Sequence, residues 1–195
     1  VPIGCTAFLT DTENRCFLTA GHCTVVAFDI VEFNVPLSSG NGGYQHPPPT
    51  DQYSIDQTSL QEQAGSPIVG NDWAYFGTFD NTETGLSPYQ AQGEFYISDP
   101  TPPAVAGQTI DITGYGATSL PVRPQWNGVQ KLHTGPYVLF SGTTVRYEVD
   151  TTSGNSGSPV LNLDTGEVIG VHTNGGCGLA SGSNLGTSLN NASVS

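Results

Sequence analysis

With 195 residues, 17 of them acidic and 4 basic, the chain carries a formal net charge of −13, which argues against nucleic acid and anionic membrane surfaces as partners. The length suits one compact body or two small barrels sharing an interface. There is no Met and no apolar run of the length a signal peptide or membrane span needs, which predicts a processed chain. The carboxylates are dispersed, as on a solvated surface, and do not form an acidic tail.

The cysteines are Cys5, Cys16, Cys23 and Cys177, in a chain dominated by Thr, Ser, Gly and Asn. That usage fits a secreted protein with two disulfides, four thiols in a cytosolic protein being the alternative. No C-x-x-C pair occurs, and although His22 adjoins Cys23 the other cysteines lack ligand spacing. No metal and no other cofactor is expected.

Along the chain, Gly4–Leu9 and Cys16–Thr19 flank the polar turn Asp11–Asn14 and predict a hairpin that delivers Ala20-Gly21-His22-Cys23 at a strand end. Val25–Val35 reads as further strand. Pro36–Gly70 is rich in Gly, Ser, Pro and Gln and reads as loop with one edge strand in it, His46 before Pro47 being a surface residue. Asn71–Phe76 is a strand opened by a carboxylate. Three prolines at Pro100, Pro102 and Pro103 cannot sit in a central strand. They place a linker at 100–103, between an N-terminal unit over 1–99 and a C-terminal unit over 104–195.

Beyond the linker, Thr109–Thr113 alternates cleanly, Gly114-Tyr115-Gly116 turns, and Val129–Leu132 and Thr143–Val149 read as strands. Val160–Leu163 and Val168–His172 flank Asp164-Thr165-Gly166 as a hairpin, and the tail is polar. No segment shows a 3.6-residue apolar period, so the predicted class is all-β.

Between these strands lies Gly154-Asn155-Ser156-Gly157-Ser158-Pro159, a glycine-flanked serine on a tight turn. Such a turn presents one hydroxyl and can aim neighbouring N–H groups at a bound oxygen, although the pattern alone is common in surface turns. A serine nucleophile also needs a base within reach and a carboxylate to fix the base's tautomer. An α/β-hydrolase would order these groups Ser, Asp, His on alternating helices; here only His172 follows the serine, and helices are absent from the pattern.

Read in order, Thr19-Ala20-Gly21-His22-Cys23, Asn71-Asp72-Trp73-Ala74 and Gly154–Pro159 resemble the three catalytic motifs of the chymotrypsin-like serine proteases. The serine turn and the strand ending in His172 look most like the bacterial glutamyl endopeptidase branch. The resemblance implies two perpendicular six-stranded antiparallel barrels with the active site between them. By it, Ser156 is the nucleophile, His22 the general base, Asp72 the orienting carboxylate, and the N–H groups of Gly154 and Ser156 the oxyanion hole. Thr173-Asn174-Gly175 would pair with substrate backbone, and protein or peptide substrates, secretion and a monomeric state are implied.

For specificity, His172 with Thr151 and Ser153 implies cleavage after Glu or Asp. Asp150, six residues before Ser156, stands where trypsin-like members keep a carboxylate for Arg or Lys. It could instead pair with His172, or be a surface carboxylate. Neighbours on a strand face opposite ways, so Asp150 and Thr151 should not both face the pocket. Two departures are evident. Asn155 replaces the aspartate that many animal members pair with a new N-terminus. The chain also begins where the family's first barrel strand should be complete, so that strand is expected to be missing or supplied by a further N-terminal or pro-segment. The resemblance also implies a Cys5–Cys23 disulfide, which leaves Cys16 and Cys177 as the second pair. An inactive homologue that only binds in the cleft is the alternative of a different class.

Overall fold

The computed structural model of the chain describes residues 4–11, 15–25, 27–63, 68–176 and 182–194. Its first half supplies β1 (Phe8–Leu9), β2 (Phe17–Thr19), β3 (Ile30–Glu32), β4 (Gln52–Glu62) and β5 (Ala74–Thr78). They form a curled antiparallel sheet in the order β1-β2-β5-β4-β3, with β1 and β3 at its edges. The second half supplies β6 (Thr109–Gly114), β7 (Lys131–Ser141), β8 (Thr144–Tyr147), β9 (Pro159–Asn162), β10 (Glu167–Asn174) and β11 (Asn184–Ser188). These close into a six-stranded barrel in the order β10-β11-β8-β7-β6-β9. The fold is therefore all-β. Among the described residues the first half has five strands, and its sheet does not close.

The apolar runs are continuous, without strict alternation, where a strand is buried on both faces. On β2, Phe17 packs with Leu9, Phe28, Ile55 and Phe76 inside the first sheet, while Leu18 turns the other way. Leu18 joins Phe8, Ala20, Cys23 and Trp73 against Val168, Val171, Leu189 and Val194 of the second half. On β10, Ile169 fills the barrel with Ile110, Tyr147 and Val160, while its neighbour Val168 faces that junction. Burying each such side chain is worth about 1.5–3 kcal/mol, so the two halves share one apolar seam. Because β2 lies along the seam, the turn at its end is held at the junction.

The covalent brace is the Cys5–Cys23 disulfide, with Cα atoms 6.1 Å apart. Closing a loop of this size is worth about 3 kcal/mol in the chain-entropy account. The Cys16–Cys177 pairing expected above lies outside the described residues, because Cys177 does. The crossing segment bonds to both halves: Tyr96 N–H donates to Leu9 O (2.9 Å), and Asp99 N–H to Val168 O (2.9 Å).

Three local expectations change. The region 36–70 holds the long strand β4, which is internal to the sheet, paired with β3 and β5. Only Tyr53 and Ile55 of it are fully buried, so its sequence lacks a strand's apolar signature. Among the described residues of 25–35 only Ile30–Glu32 is strand, bracketed by left-handed Ala27 (φ 39°) and Asn34 (φ 52°). A single helical turn, α1 (Pro88–Gln92), carries a Ser87/Gln90 capping box and ends at left-handed Gly93.

Candidate active site

His22 occupies a 3-10 turn, Gly21–Cys23, directly after β2. Gly21 is needed there, since a Cβ would lie 2.9 Å from Trp73 O and 3.1 Å from Asp72 Oδ1. That close approach lets one carboxylate hold the histidine twice. The His22 main-chain N–H donates to Asp72 Oδ1 at 2.8 Å, and ring Nδ1 donates to Oδ2 at 2.6 Å. Asp72 is 2% exposed and the His22 side chain 32%, so the carboxylate is desolvated while the imidazole keeps an open side. With Nδ1 held, Nε2 is the ring nitrogen available for proton transfer.

Asp72 is fixed in turn from the second half. Thr187 Oγ1 on β11 accepts from Asp72 N–H (3.0 Å) and donates to Asp72 O (3.0 Å). Asn191 Nδ2 donates to Gly70 O (2.9 Å), steadying the approach to Asp72. Asp72 thus belongs to the first half by sequence but is oriented by the second.

The serine turn abuts the same place. Gly157 has φ +88°, and a Cβ on it would sit 2.0 Å from Thr6 O, 2.3 Å from Thr19 Oγ1 and 3.1 Å from Ala20 N. The Ser156 carbonyl oxygen lies 3.8 Å from Cys23 Sγ and accepts from Thr6 N–H at 2.7 Å. The hydroxyl of Thr6 donates to Gly154 O (2.9 Å), accepts from Tyr115 N–H (3.0 Å), and Thr6 O accepts from Thr19 Oγ1 (2.6 Å). Thr6 is thus a buried strut between the two halves.

The peptide planes of the turn are also set. Ser153 O accepts from Ala117 N–H at 2.7 Å, and Asn155 O from Ser158 N–H at 2.9 Å. In a planar trans peptide the N–H points opposite to the C=O, so the N–H groups of Gly154 and Ser156 are directed away from those donors. Among the described residues neither N–H has an acceptor. Gly154, at φ +105°, would put a Cβ 2.7 Å from Tyr115 O. The supporting loop is clipped by Lys131, whose Nζ donates to Gly116 O (2.6 Å), Trp126 O (2.7 Å) and Val129 O (2.9 Å). Burial lowers the pKa of that ammonium.

His172, on β10, is tied to the serine turn through its main chain: its N–H donates to Ser158 O (2.9 Å) and its carbonyl accepts from Gly157 N–H (2.8 Å). Its side chain is 3% exposed, with Nδ1 2.6 Å from the Tyr147 hydroxyl. Burial first, and the His22 charge second, push its pKa down to about 4. An unfolded histidine titrates near 6.5, so the unfolded chain binds the extra proton as pH falls. The stability held above pH 6.5 is therefore lost progressively down to about pH 4, by roughly 3 kcal/mol in all. Urea unfolding of a Ser156→Ala protein, with and without His172→Gln, should show the difference between the two shrinking by about that amount between pH 7.5 and 3.5. A pH-independent difference would contradict it.

Thr151 Oγ1 accepts from Asn184 Nδ2 at 3.0 Å, and a Cβ on Gly175 would lie 4.0 Å from it. Asn184, buried on β11, also donates to Val149 O and accepts from Gly176 N–H at 2.7 Å. It joins the segment before the serine turn to the segment after β10. Thr173 is buried, its hydroxyl donating to Asn174 Oδ1 (2.8 Å), whereas Gly175 and Ser153 are exposed.

Asp150 does not join this group. Its carboxylate is 88% exposed and lies 3.7 Å from His133 Nε2, and its N–H donates to His133 Nδ1 at 3.0 Å. The structure departs from the readings of Asp150 as a pocket-base carboxylate and as the partner of His172: its carboxylate is exposed beside His133, and Tyr147 takes His172 Nδ1. Cys5, His22 and Cys23 bring their ligand atoms within 4.8 Å of one another, but both sulfurs are spent in the disulfide and offer no thiolate.

Sequence reading missed Thr6, Thr187, Asn184 and Tyr147. For the first three no local motif signals the role. For Tyr147 a signal exists, since its alternation with Val145 and Val149 places it inside, and a buried tyrosine hydroxyl requires a polar partner.

A curled sheet packed on a closed six-stranded barrel, with His22, Asp72 and the serine turn meeting at the junction, is the architecture of a chymotrypsin-like serine protease. The chain belongs to the trypsin-like peptidase domain family, matched over residues 5–171. The glutamyl endopeptidases of Staphylococcus aureus strains MW2 and MRSA252 are each 40% identical to it over 68 residues. That stretch is 35% of this chain and 19% and 17% of theirs, so the match spans less than a fifth of the length of these curated relatives. A solved Glu endopeptidase superposes with a TM-score of 0.68 at 20% identity, over 100% of this chain and 88% of that one. The thermostable serine protease AL20, from an extremophilic microorganism, gives 0.64 at 20% identity, over 94% and 83%. At such identity the likeness is one of fold.

Proposed function

We propose that the chain is a secreted, monomeric endopeptidase that cleaves peptide bonds after Glu, or Asp, through a Ser156-His22-Asp72 triad. The observation that carries the triad is the double hold of buried Asp72 on His22, beside a turn that presents Ser156. His22 Nε2 takes the Ser156 proton as Oγ attacks the scissile carbonyl, then returns it to the leaving amine; Asp72 stabilises the imidazolium between these steps. The Gly154 and Ser156 N–H groups receive the developing oxyanion, each donor being worth about 3 kcal/mol in such sites. Thr173 and Asn174 at the end of β10, with Gly175 beyond it, form the edge for substrate backbone. The Cys5–Cys23 disulfide supports an oxidising, extracellular setting.

The P1 reading rests on His172. The chain has only 4 Lys and Arg residues. Lys131 is clipped to three carbonyls, the Arg15 guanidinium lies 3.7 Å over the Tyr89 ring, Arg123 is exposed before the 3-10 turn 124–126, and Arg146, next to Tyr147 on β8, faces the opposite side of that strand. The imidazole, with the Thr151 hydroxyl, is the group suited to a carboxylate. Burial holds the ring neutral, so it offers a carboxylate one N–H donor. Peptides differing only at P1 should be cleaved after Glu 10- to 100-fold faster in kcat/KM than after Gln, the worth of a hydrogen bond to a charged group. Preference for Arg or Lys would overturn this reading. Failure of a fluorophosphonate to label Ser156 would instead favour a binding module.

A further inference from the structure

Tyr147 and His172 are not on adjacent strands. In the barrel order β11 lies between β8 and β10, with Gly186 opposite both Val145 and His172, and Asn184 opposite Tyr147. The tyrosine therefore reaches diagonally across β11, and it passes where Gly186 has no side chain. A Cβ on Gly186 would lie 3.3 Å from the Tyr147 hydroxyl, 3.2 Å from Val145 Cγ2 and 2.6 Å from Val171 O. Tyr147 is 0% and His172 3% exposed, so the contact is made out of water, where an imidazole's tautomer is set by the partner of one nitrogen.

Resting on the reading of His172 as the P1 group, we propose that Tyr147 is the positioning residue of the pocket: its hydroxyl, passing Gly186, donates to Nδ1 of His172 and leaves the ring proton on Nε2, as a donor to an acidic P1 side chain. The hydroxyl has one proton, and among the described residues it meets two acceptors, Nδ1 at 2.6 Å and Leu185 O at 3.4 Å. The shorter contact takes the proton, because a hydrogen bond weakens steeply with length and imidazole nitrogen is a strong acceptor. The reverse arrangement, Nδ1–H donating to the tyrosine oxygen, would leave Nε2 a bare lone pair turned toward a carboxylate, which is repulsive. Gly186 thus serves specificity by being absent as a side chain, and Tyr147 acts only through His172.

Two measurements test this. In Ser156→Ala protein, imidazole ¹⁵N–¹H correlation spectra at neutral pH should show His172 protonated at Nε2 and accepting at Nδ1; a proton on Nδ1 overturns the proposal. In active protein, Tyr147→Phe should lower the Glu-to-Gln ratio of kcat/KM by about tenfold, the worth of one buried hydrogen bond. An unchanged ratio overturns the proposal while leaving the P1 reading intact. A wild-type enzyme without Glu preference removes the P1 reading instead, and the tautomer seen by NMR still decides whether Tyr147 holds the ring. If Tyr147→Phe does not fold, the spectrum of the protein with Tyr147 in place decides alone.

Discussion

Ser156→Ala is expected to lower kcat/KM on a Glu-containing peptide by roughly five to six orders of magnitude, as loss of a triad nucleophile does elsewhere. The fold should be indifferent to the change. Ser156 is held by its main chain, its carbonyl accepting from Thr6 N–H, and its neighbours by the bonds of Ser153, Asn155 and Gly157. The unfolding free energy from urea titration should therefore stay within about 0.5 kcal/mol of the parent, and fluorophosphonate labelling should vanish. Turnover retained in purified Ser156→Ala protein would place the nucleophile elsewhere.

The largest stability effect should come from Gly157→Ala. At φ +88° an L-residue is strained, and the new methyl would meet Thr6 O at 2.0 Å and Thr19 Oγ1 at 2.3 Å. Neither is the far end of a flexible chain: one is backbone, and the other is a β-branched side chain bonded to that same carbonyl. Left-handed strain of 1–2 kcal/mol and overpacking of 1–3 kcal/mol together cost about 3 kcal/mol, or roughly 6–12 °C in melting temperature for a domain of this size. Activity should fall with it, because relief of the clash moves the serine turn away from Thr19 and Ala20, which lead into His22. An unshifted melting curve would show that the turn is not seated against β2.

How far the site could be read from the chain depended on sequence distance. Gly154, Gly157 and Gly21 mark turns that only glycine allows, so the serine and histidine motifs are visible in a few consecutive residues. The carboxylate of Asp150 was ambiguous for the opposite reason: its neighbour Thr151 was equally eligible, and only the direction of the backbone at 149–151 separates them. β4 reads from the sequence as an edge strand, not as the long internal one it is, because Tyr53 and Ile55 are its only fully buried residues, and the turn α1 shows no helical period because five residues are too few, although Ser87, Gln90 and Gly93 are the right caps.

The amino-acid sequence by itself determined the all-β class, the family and the order of its motifs, since periodicity, glycine conformation and short motifs are properties of adjacent residues. Tertiary structure alone decided which groups hold those motifs in register: Thr6 on the carbonyls of Gly154 and Ser156, Thr187 on Asp72, Asn184 between the segment before the serine turn and the segment after β10, and Tyr147 on His172. The widest of these contacts, Thr6 to Ser156 and to Gly154, span 150 and 148 positions, and Tyr147 to His172 spans 25. They exist because strand order and register bring the side chains together, and neither is written in any local stretch of the chain.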